Sequence, residues 1–172
     1  MIRKDIERHI RKKPRWGEFI LPFYDRYCLS NIPATILDLF GVRSRRSLHP
    51  DLPPSLVSHA GEKNLNVILL ILDGFGYSWW LRYLRESSFL RMVNKKGTIL
   101  PLTSIFPSTT AAAITTLQTG LPPGEHALFE WYLYLPEADR VILSLPFAPL
   151  DQPTQDKLLE EGIRPTVLLK QA

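Results

Sequence analysis

Apolar residues near the start of the chain recur at a helical spacing. Ile2, Ile6 and Ile10 stand four residues apart, so that they form one stripe along a helix. Pro14 cannot continue that helix, because it lacks a backbone N–H and its ring clashes with the preceding turn. The pattern therefore predicts a helix over residues 2–13, most of whose other positions are charged.

Two further helices are predicted before residue 97. Ser30 or Asn31 can cap the first of them, a proline stands in its first turn, and Gly41 can close its end. Residues 77–94 carry apolar side chains at helical spacing and predict the second, which Gly97 stops.

The middle of the chain predicts strands that alternate with helices. Residues 67–72 form an uninterrupted apolar run, which is typical of a central parallel strand covered on both faces. Residues 98–105 predict a second strand, residues 108–119 a capped helix, and residues 129–147 a β-hairpin. This order of elements favours an α/β fold with parallel strands.

Composition narrows the class of protein. The chain has 172 residues, of which 45% are hydrophobic, so it can bury a core of its own. Cys28 is the single cysteine, which excludes an intrachain disulfide and agrees with a reducing cytoplasm. The basic start of the chain lacks the apolar core of a secretory signal, and no apolar run reaches the length of a membrane span. We therefore expect a cytoplasmic protein without a membrane span.

The net charge of +4 is concentrated at the start of the chain. Before Trp16 there are seven basic residues and two acidic ones. Such an arm can bind nucleic acid or anionic lipid, and it can equally be a solvated helix face or a docking arm.

A proline-rich stretch over residues 43–63 shows no periodicity and predicts a surface connection. Its two histidines, His49 and His59, have no neighbouring ligand at metal spacing, which favours loop histidines. We predict that residues 1–63 form a basic arm, a short helix and this connector, and that residues 64–172 form part of an α/β domain.

A carboxylate stands at the end of the first predicted strand. In an open α/β sheet, ligands sit beyond the carboxyl ends of the strands, which is where Asp73 would be. Gly74 and Gly76 allow a tight turn after it. An oxygen ligand there suits Zn²⁺, Mn²⁺ or Mg²⁺. Taken alone, Asp73 could equally cap a helix over the residues from 75 onward.

Three hydroxyl residues, Ser108, Thr109 and Thr110, stand where the next helix is predicted to begin. The start of a helix presents unpaired N–H groups and the positive end of the helix dipole, and both favour an oxyanion. A hydroxyl held there can attack phosphorus or sulfur. The alternative is ordinary capping, for which serine and threonine are commonly used.

Together, the apolar run that ends at Asp73 and the hydroxyl residues 108–110 resemble the alkaline phosphatase superfamily, in particular its type I phosphodiesterase and nucleotide pyrophosphatase branch. Members share an apolar strand ending in Asp-Gly and, later, a nucleophile nine positions before a Thr-Gly pair. Here Asp73 precedes Gly74, and Thr110 stands nine positions before Thr119-Gly120. The resemblance covers about residues 66–128.

The resemblance implies a metal-dependent hydrolase of phosphodiester or pyrophosphate bonds acting on a nucleotide or another phosphodiester. It implies that Asp73 binds a metal and that Thr110 is both the nucleophile and a ligand of the same metal. Thr109 is the competing nucleophile, and His126 is expected to pack and hydrogen-bond behind the site. A complete family member would hold two divalent ions, for which zinc is the first expectation and manganese or magnesium the alternatives.

The family supplies most of its metal ligands later in the chain, as aspartate and histidine, and no histidine follows His126 here. The resemblance therefore implies the N-terminal portion of an alkaline-phosphatase-like fold: an incomplete, mostly parallel sheet flanked by helices, with a β-hairpin after the nucleophile helix. Such a truncated portion would be weakly active or inactive, and its exposed sheet edges would favour a homo-oligomer. The alternative is a non-catalytic partner-binding protein that retains half of the fold. Nucleic-acid binding by residues 3–15 is a weaker third hypothesis.

Overall fold

A computed structural model describes residues 1–48 and 51–169, and the chain divides into two compact units, Met1–Ser104 and Ile105–Ala172. Each unit combines helices with one small antiparallel sheet, so the fold is mixed α/β. The α/β class agrees with the sequence prediction, whereas the predicted mostly parallel sheet is not found among the described residues. No helix among the described residues is long and apolar enough to cross a membrane. The division after residue 63 remains a prediction.

The first unit is built mainly from short helices. Its helices are α1 (Lys4–Arg11), α2 (Asn31–Leu39), α3 (Pro54–Val57), α4 (Tyr77–Tyr83) and α5 (Ser88–Lys96). Between α1 and α2, strands β1 (Arg15–Trp16) and β2 (Phe19–Ile20) pair as an antiparallel hairpin. The first two helical predictions are confirmed, and Ile6 and Ile10 lie on the buried stripe of α1.

The core of the first unit forms where α1 packs against the segment that follows the hairpin. Its buried members are Ile6, Ile10, Tyr27 and Leu48, and Ile20, Phe23, Leu100 and Leu102 pack against them. The Tyr77 hydroxyl at the start of α4 donates a 2.9 Å hydrogen bond to Glu7 of α1. Burial and this hydrogen bond raise the pKa of Tyr77 to about 12.

A buried carboxylate links three parts of the first unit. Asp51 accepts a 2.8 Å hydrogen bond from the Arg26 guanidinium, and Arg3 donates to its backbone carbonyl at 2.7 Å. Burial and contact with Asp51 raise the pKa of Tyr27, because both disfavour its phenolate form. The buried charge is thus paired and hydrogen-bonded, as a buried charge must be.

The predicted central strand over residues 67–72 is wrong for this structure. The segment has no regular secondary structure, and it is solvent-exposed, Ile68 by 93% and Leu70 by 75%. A central parallel strand needs a hydrogen-bonded neighbour on each side and a layer on each face. No described residue supplies a backbone hydrogen bond to residues 67–72.

Two other predictions in this unit need correction. Residues 98–105 form no strand but make two isolated parallel bridges, Ile2 with Ile99 and Cys28 with Thr103. The single helix predicted over residues 77–94 is interrupted between α4 and α5. Ser87 explains the interruption, because its hydroxyl accepts from the Leu90 N–H and caps a new helix.

The second unit has a helical first half and a sheet in its second half. Its helices are α6 (Thr110–Thr119), α7 (Pro123–His126) and α8 (Lys157–Glu160), with 3₁₀ turns at Pro136–Ala138 and Pro165–Leu169. Its strands are β3 (Tyr132–Leu135), β4 (Arg140–Leu143) and β5 (Ala148–Pro149).

The predicted β-hairpin after α6 is confirmed, since β3 pairs antiparallel with β4 and places Leu133 opposite Ile142. β5 extends this sheet on the other side of β4. A separate core forms around it, made of Leu135, Ile142, Phe147, Leu158 and Val167.

Candidate active site at the start of α6

The helix that carries the candidate nucleophile is capped at both ends. Thr109 is the N-cap residue of α6, and its hydroxyl accepts a hydrogen bond from the Ala112 N–H. The same hydroxyl donates a 2.8 Å hydrogen bond to the Phe129 carbonyl, beyond the far end of the helix. Gly120, at φ 74°, ends α6 in the left-handed conformation that glycine adopts without strain. These caps confirm the predicted helix.

Thr110 is the first residue of α6, one position inside the cap. Its side chain is partly exposed. The backbone N–H groups of the first helical turn lack helical partners, and the dipole of the helix is positive at this end. The position therefore combines a hydroxyl with an environment that stabilises negative charge on a neighbouring oxygen atom.

The hydroxyls of Ser108 and Thr109 form hydrogen bonds with the backbone. The Ser108 hydroxyl donates to the Ile105 carbonyl at 3.0 Å. Thr109 makes the two cap contacts described above. The peptide bond between Phe106 and Pro107, just before the run, is cis.

The turn after α6 is also fixed by a threonine. The Thr119 hydroxyl donates to the Thr115 carbonyl at 2.8 Å and accepts from the Leu121 N–H at 3.2 Å. The Thr119-Gly120 pair thus forms the end of the helix that Thr110 begins.

His126 lies inside the second unit, fully buried. Its Nδ1 accepts from the Leu128 N–H at 3.1 Å, so the proton of the neutral ring is on Nε2, which lies 3.0 Å from the Thr116 hydroxyl. Burial lowers the pKa of His126, and the nearby backbone of His126 and Ala112 opposes this in part. The expectation that His126 packs and hydrogen-bonds is confirmed.

Asp73 lies in an exposed turn of the first unit, four residues before α4. Its Oδ1 accepts a 2.9 Å hydrogen bond from the Gly74 N–H, and Gly74 has φ 69°. The N-cap of α4 is Gly76, without a side-chain cap. The alternative role of Asp73 as a helix cap is therefore wrong, and its carboxylate remains a candidate ligand.

Asp73 and Thr110 do not form a metal site by themselves. Asp73 belongs to the first unit and Thr110 to the second. Nowhere in residues 1–48 and 51–169 do three His, Cys, Asp or Glu side chains come together as metal ligands, whereas a zinc site takes about four. His59 pairs with Glu62 at 3.0 Å on the surface, and His49 lies outside the described residues.

Comparison with known proteins supports the family resemblance of this region. Residues 67–151 match the family type I phosphodiesterase / nucleotide pyrophosphatase. The matched region contains Asp73, Thr110 and the Thr119-Gly120 turn, so the resemblance to this family is shown for this part of the chain. Neither a curated protein nor a solved structure gave a match.

Sequence reasoning missed the second partner of Thr109. The bond to the Phe129 carbonyl spans twenty residues of sequence, so no local pattern could indicate it. Nearby, the Glu130 carboxylate accepts from the Trp131 N–H at 3.0 Å.

Proposed function

We propose that this chain carries part of the active site of a hydrolase of phosphodiester or pyrophosphate bonds, with Thr110 as the nucleophile. The observation that carries the proposal is the position of Thr110 at the first turn of α6, within the region that matches the phosphodiesterase family. This match also favours a hydrolase over a non-catalytic binding protein.

The proposed reaction has two steps. The Thr110 oxygen forms a bond to phosphorus while the bond from phosphorus to the leaving oxygen breaks, and the hydroxyl proton passes to the leaving group by way of solvent. Water then forms a bond to phosphorus while the bond to the Thr110 oxygen breaks, which restores the hydroxyl. The first-turn N–H groups of α6 favour the negative charge that builds up on the phosphoryl oxygens.

The hydrogen bonds of Thr109 argue against Thr109 as the nucleophile. The Thr109 hydroxyl already accepts from one N–H and donates to one carbonyl, so an attack by its oxygen would break the helix cap. We propose that Thr109 holds the start of α6 and that Thr110 performs the reaction.

Members of this family are generally metal-dependent. We propose that Asp73 and Thr110 each offer an oxygen ligand to a divalent ion, zinc in the first place and manganese or magnesium as alternatives. Among the described residues, no three His, Cys, Asp or Glu side chains come together to complete such a site. We propose that the protein acts in a reducing cytoplasm, because its single cysteine, Cys28, is a buried free thiol.

The exposed segment at residues 67–72 supports a related proposal about the sheet. Its β-branched and leucine side chains suit a central parallel strand, and its backbone groups are unpaired within the described chain. We propose that this segment becomes a strand of an alkaline-phosphatase-like sheet when neighbouring strands are present. Alone, it would favour self-association of the chain.

The hydrolase proposal is tested with bis-p-nitrophenyl phosphate and the intact chain in Zn²⁺ or Mn²⁺. We expect slow release of p-nitrophenolate that a chelator abolishes and that Asp73→Asn lowers by about a hundredfold or more, as loss of a metal ligand does. Mass spectrometry should find the phosphoryl adduct on the peptide that contains Thr110. Release that survives both the chelator and Asp73→Asn would overturn the metal assignment.

Self-association is tested with Ile68→Lys combined with Leu70→Lys. Both side chains are exposed, so we expect the free energy of unfolding to change by less than about 0.5 kcal/mol each. Sedimentation velocity should show a smaller share of oligomers than in the unchanged chain, since charges on an open edge oppose pairing. Phe89→Lys, at an exposed site on α5, is the control and should leave that share unchanged. A large loss of stability in the double variant would mean that the segment is buried in solution.

A further inference from the structure

The hairpin of the first unit carries two large aromatic side chains into solvent. Trp16 is 70% exposed and Phe19 74%. They are directly opposite one another in the β1–β2 register, and residues paired in this way share one face of a sheet. Burying such side chains is favourable, so their joint exposure marks a contact surface.

The hairpin is held to its unit from the other face. Ile20 packs against the core that includes Ile6 and Ile10. Because successive side chains of a strand point to opposite faces, Phe19 is directed away from that core. The loop is only Gly17 and Glu18, with Gly17 at φ 60°, as a tight two-residue turn requires at its first position. The aromatic pair is therefore presented on a short, anchored support.

Basic residues flank this aromatic pair in the sequence. Between residues 8 and 22 there are five basic side chains and one carboxylate, that of Glu18. Arg11 pairs with Glu7, and the Lys13 ammonium lies 3.6 Å from the centre of the Phe23 ring. No ion pair within the described residues involves Arg8, Lys12 or Arg15, so their charge is available to an external anion.

We propose that the Trp16–Phe19 hairpin docks the protein on an anionic lipid bilayer. Tryptophan and phenylalanine favour the boundary between headgroups and acyl chains, and Leu21, exposed next to the hairpin, adds aliphatic surface. The flanking lysine and arginine charges are attracted by anionic headgroups. The combination of an aliphatic side chain with the aromatic pair favours lipid over single-stranded nucleic acid, whose bases would stack on aromatic rings alone.

The test is co-sedimentation of the full chain with vesicles. Phosphatidylcholine vesicles should bind it weakly, and vesicles with roughly 30% phosphatidylserine strongly, with binding falling as salt is added. Trp16→Ala with Phe19→Ala should lower the partition coefficient by about tenfold or more, since it removes the buried apolar contact. Both side chains are exposed, so circular dichroism should remain unchanged.

Charge variants measure the electrostatic contribution to vesicle binding. Lys12→Gln with Arg15→Gln should lower the partition coefficient by about fivefold for each charge removed. Glu18→Gln should raise it severalfold, because it removes the carboxylate at the tip of the hairpin. Phe89→Ala, an exposed aromatic on α5, is the matched control and should bind as the unchanged chain does.

Two results would overturn the proposal. One is equal binding of the aromatic double variant and the unchanged chain to the anionic vesicles. The other is the absence of vesicle binding together with salt-sensitive binding of a single-stranded oligonucleotide, which would assign the hairpin to nucleic acid.

Discussion

Thr110→Ala is expected to reduce hydrolysis of bis-p-nitrophenyl phosphate to the rate of buffer, because it removes the oxygen that attacks phosphorus. Thr110→Ser keeps a hydroxyl at the same position of α6 and should retain measurable turnover. The phosphoryl adduct should be absent from the alanine variant and present in the serine variant. Initial rates under identical metal conditions, with mass spectrometry of the trapped protein, check both expectations.

Thr109→Ala is the matched variant one position away. It removes the cap of α6 and the bond to the Phe129 carbonyl, so we expect a loss of about 1 kcal/mol in stability. Turnover should persist at a temperature at which the variant is folded. The opposite pattern, with hydrolysis lost in Thr109→Ala and kept in Thr110→Ala, would exchange the roles of the two threonines.

The elements that sequence predicted correctly are those whose signals are local. In α6, a threonine cap precedes the helix and Gly120 ends it, and both signals are set by residues within the helix or next to it. The same holds for α2, which ends just before Gly41. The hairpin of β3 and β4 is equally local, since its two strands are separated by one short turn.

Residues 67–72 show why the rest could not be predicted in this way. Their composition is that of a buried strand, but a strand exists only when other strands pair with it. Whether partner strands are present depends on distant residues, so it cannot be predicted from the sequence of the segment alone. The hydrogen bond between Thr109 and Phe129 was missed for the same reason.

The candidate site was predictable only through family resemblance. Asp73 and Thr110 each had an ordinary structural alternative when taken alone. The structure rejects helix capping for Asp73, because Gly76 is the N-cap of α4. It gives the capping role at α6 to Thr109, and the nucleophilic role of Thr110 stays a proposal.

His126 should make the stability of the second unit depend on pH. Its pKa in the folded chain is lower than the ordinary value of 6.5, mainly because burial disfavours the charged ring. Above pH 6.5 the ring is neutral in both the folded and the unfolded chain, so its hydrogen bonds contribute fully. As the pH falls below 6.5, the unfolded chain takes up a proton that the folded chain does not, and stability decreases. The decrease ends once the pH is below the folded pKa.

The Leu128 amide is the local reporter of this change. Its N–H donates to His126 Nδ1, and a proton on Nδ1 would remove that acceptor. Hydrogen-exchange protection of the Leu128 amide, corrected for the intrinsic pH dependence of exchange, should therefore be lower at pH 5 than at pH 8. Local exchange is the suitable measurement because the chain consists of two units that need not unfold together.

Two histidine variants isolate the effect. His126→Asn does not titrate in this range, so protection of the Leu128 amide should lose its pH dependence. Loss of the contact between Nε2 and Thr116 and of part of the packing should lower stability by about 2–3 kcal/mol at pH 8. His59→Asn replaces an exposed histidine of the first unit, which pairs with Glu62 of the same unit. This variant should keep the full pH dependence of protection at the Leu128 amide. If His126→Asn and the unchanged chain lose protection equally between pH 8 and pH 5, then His126 is not the group that titrates, because the asparagine variant has no proton to gain at that position.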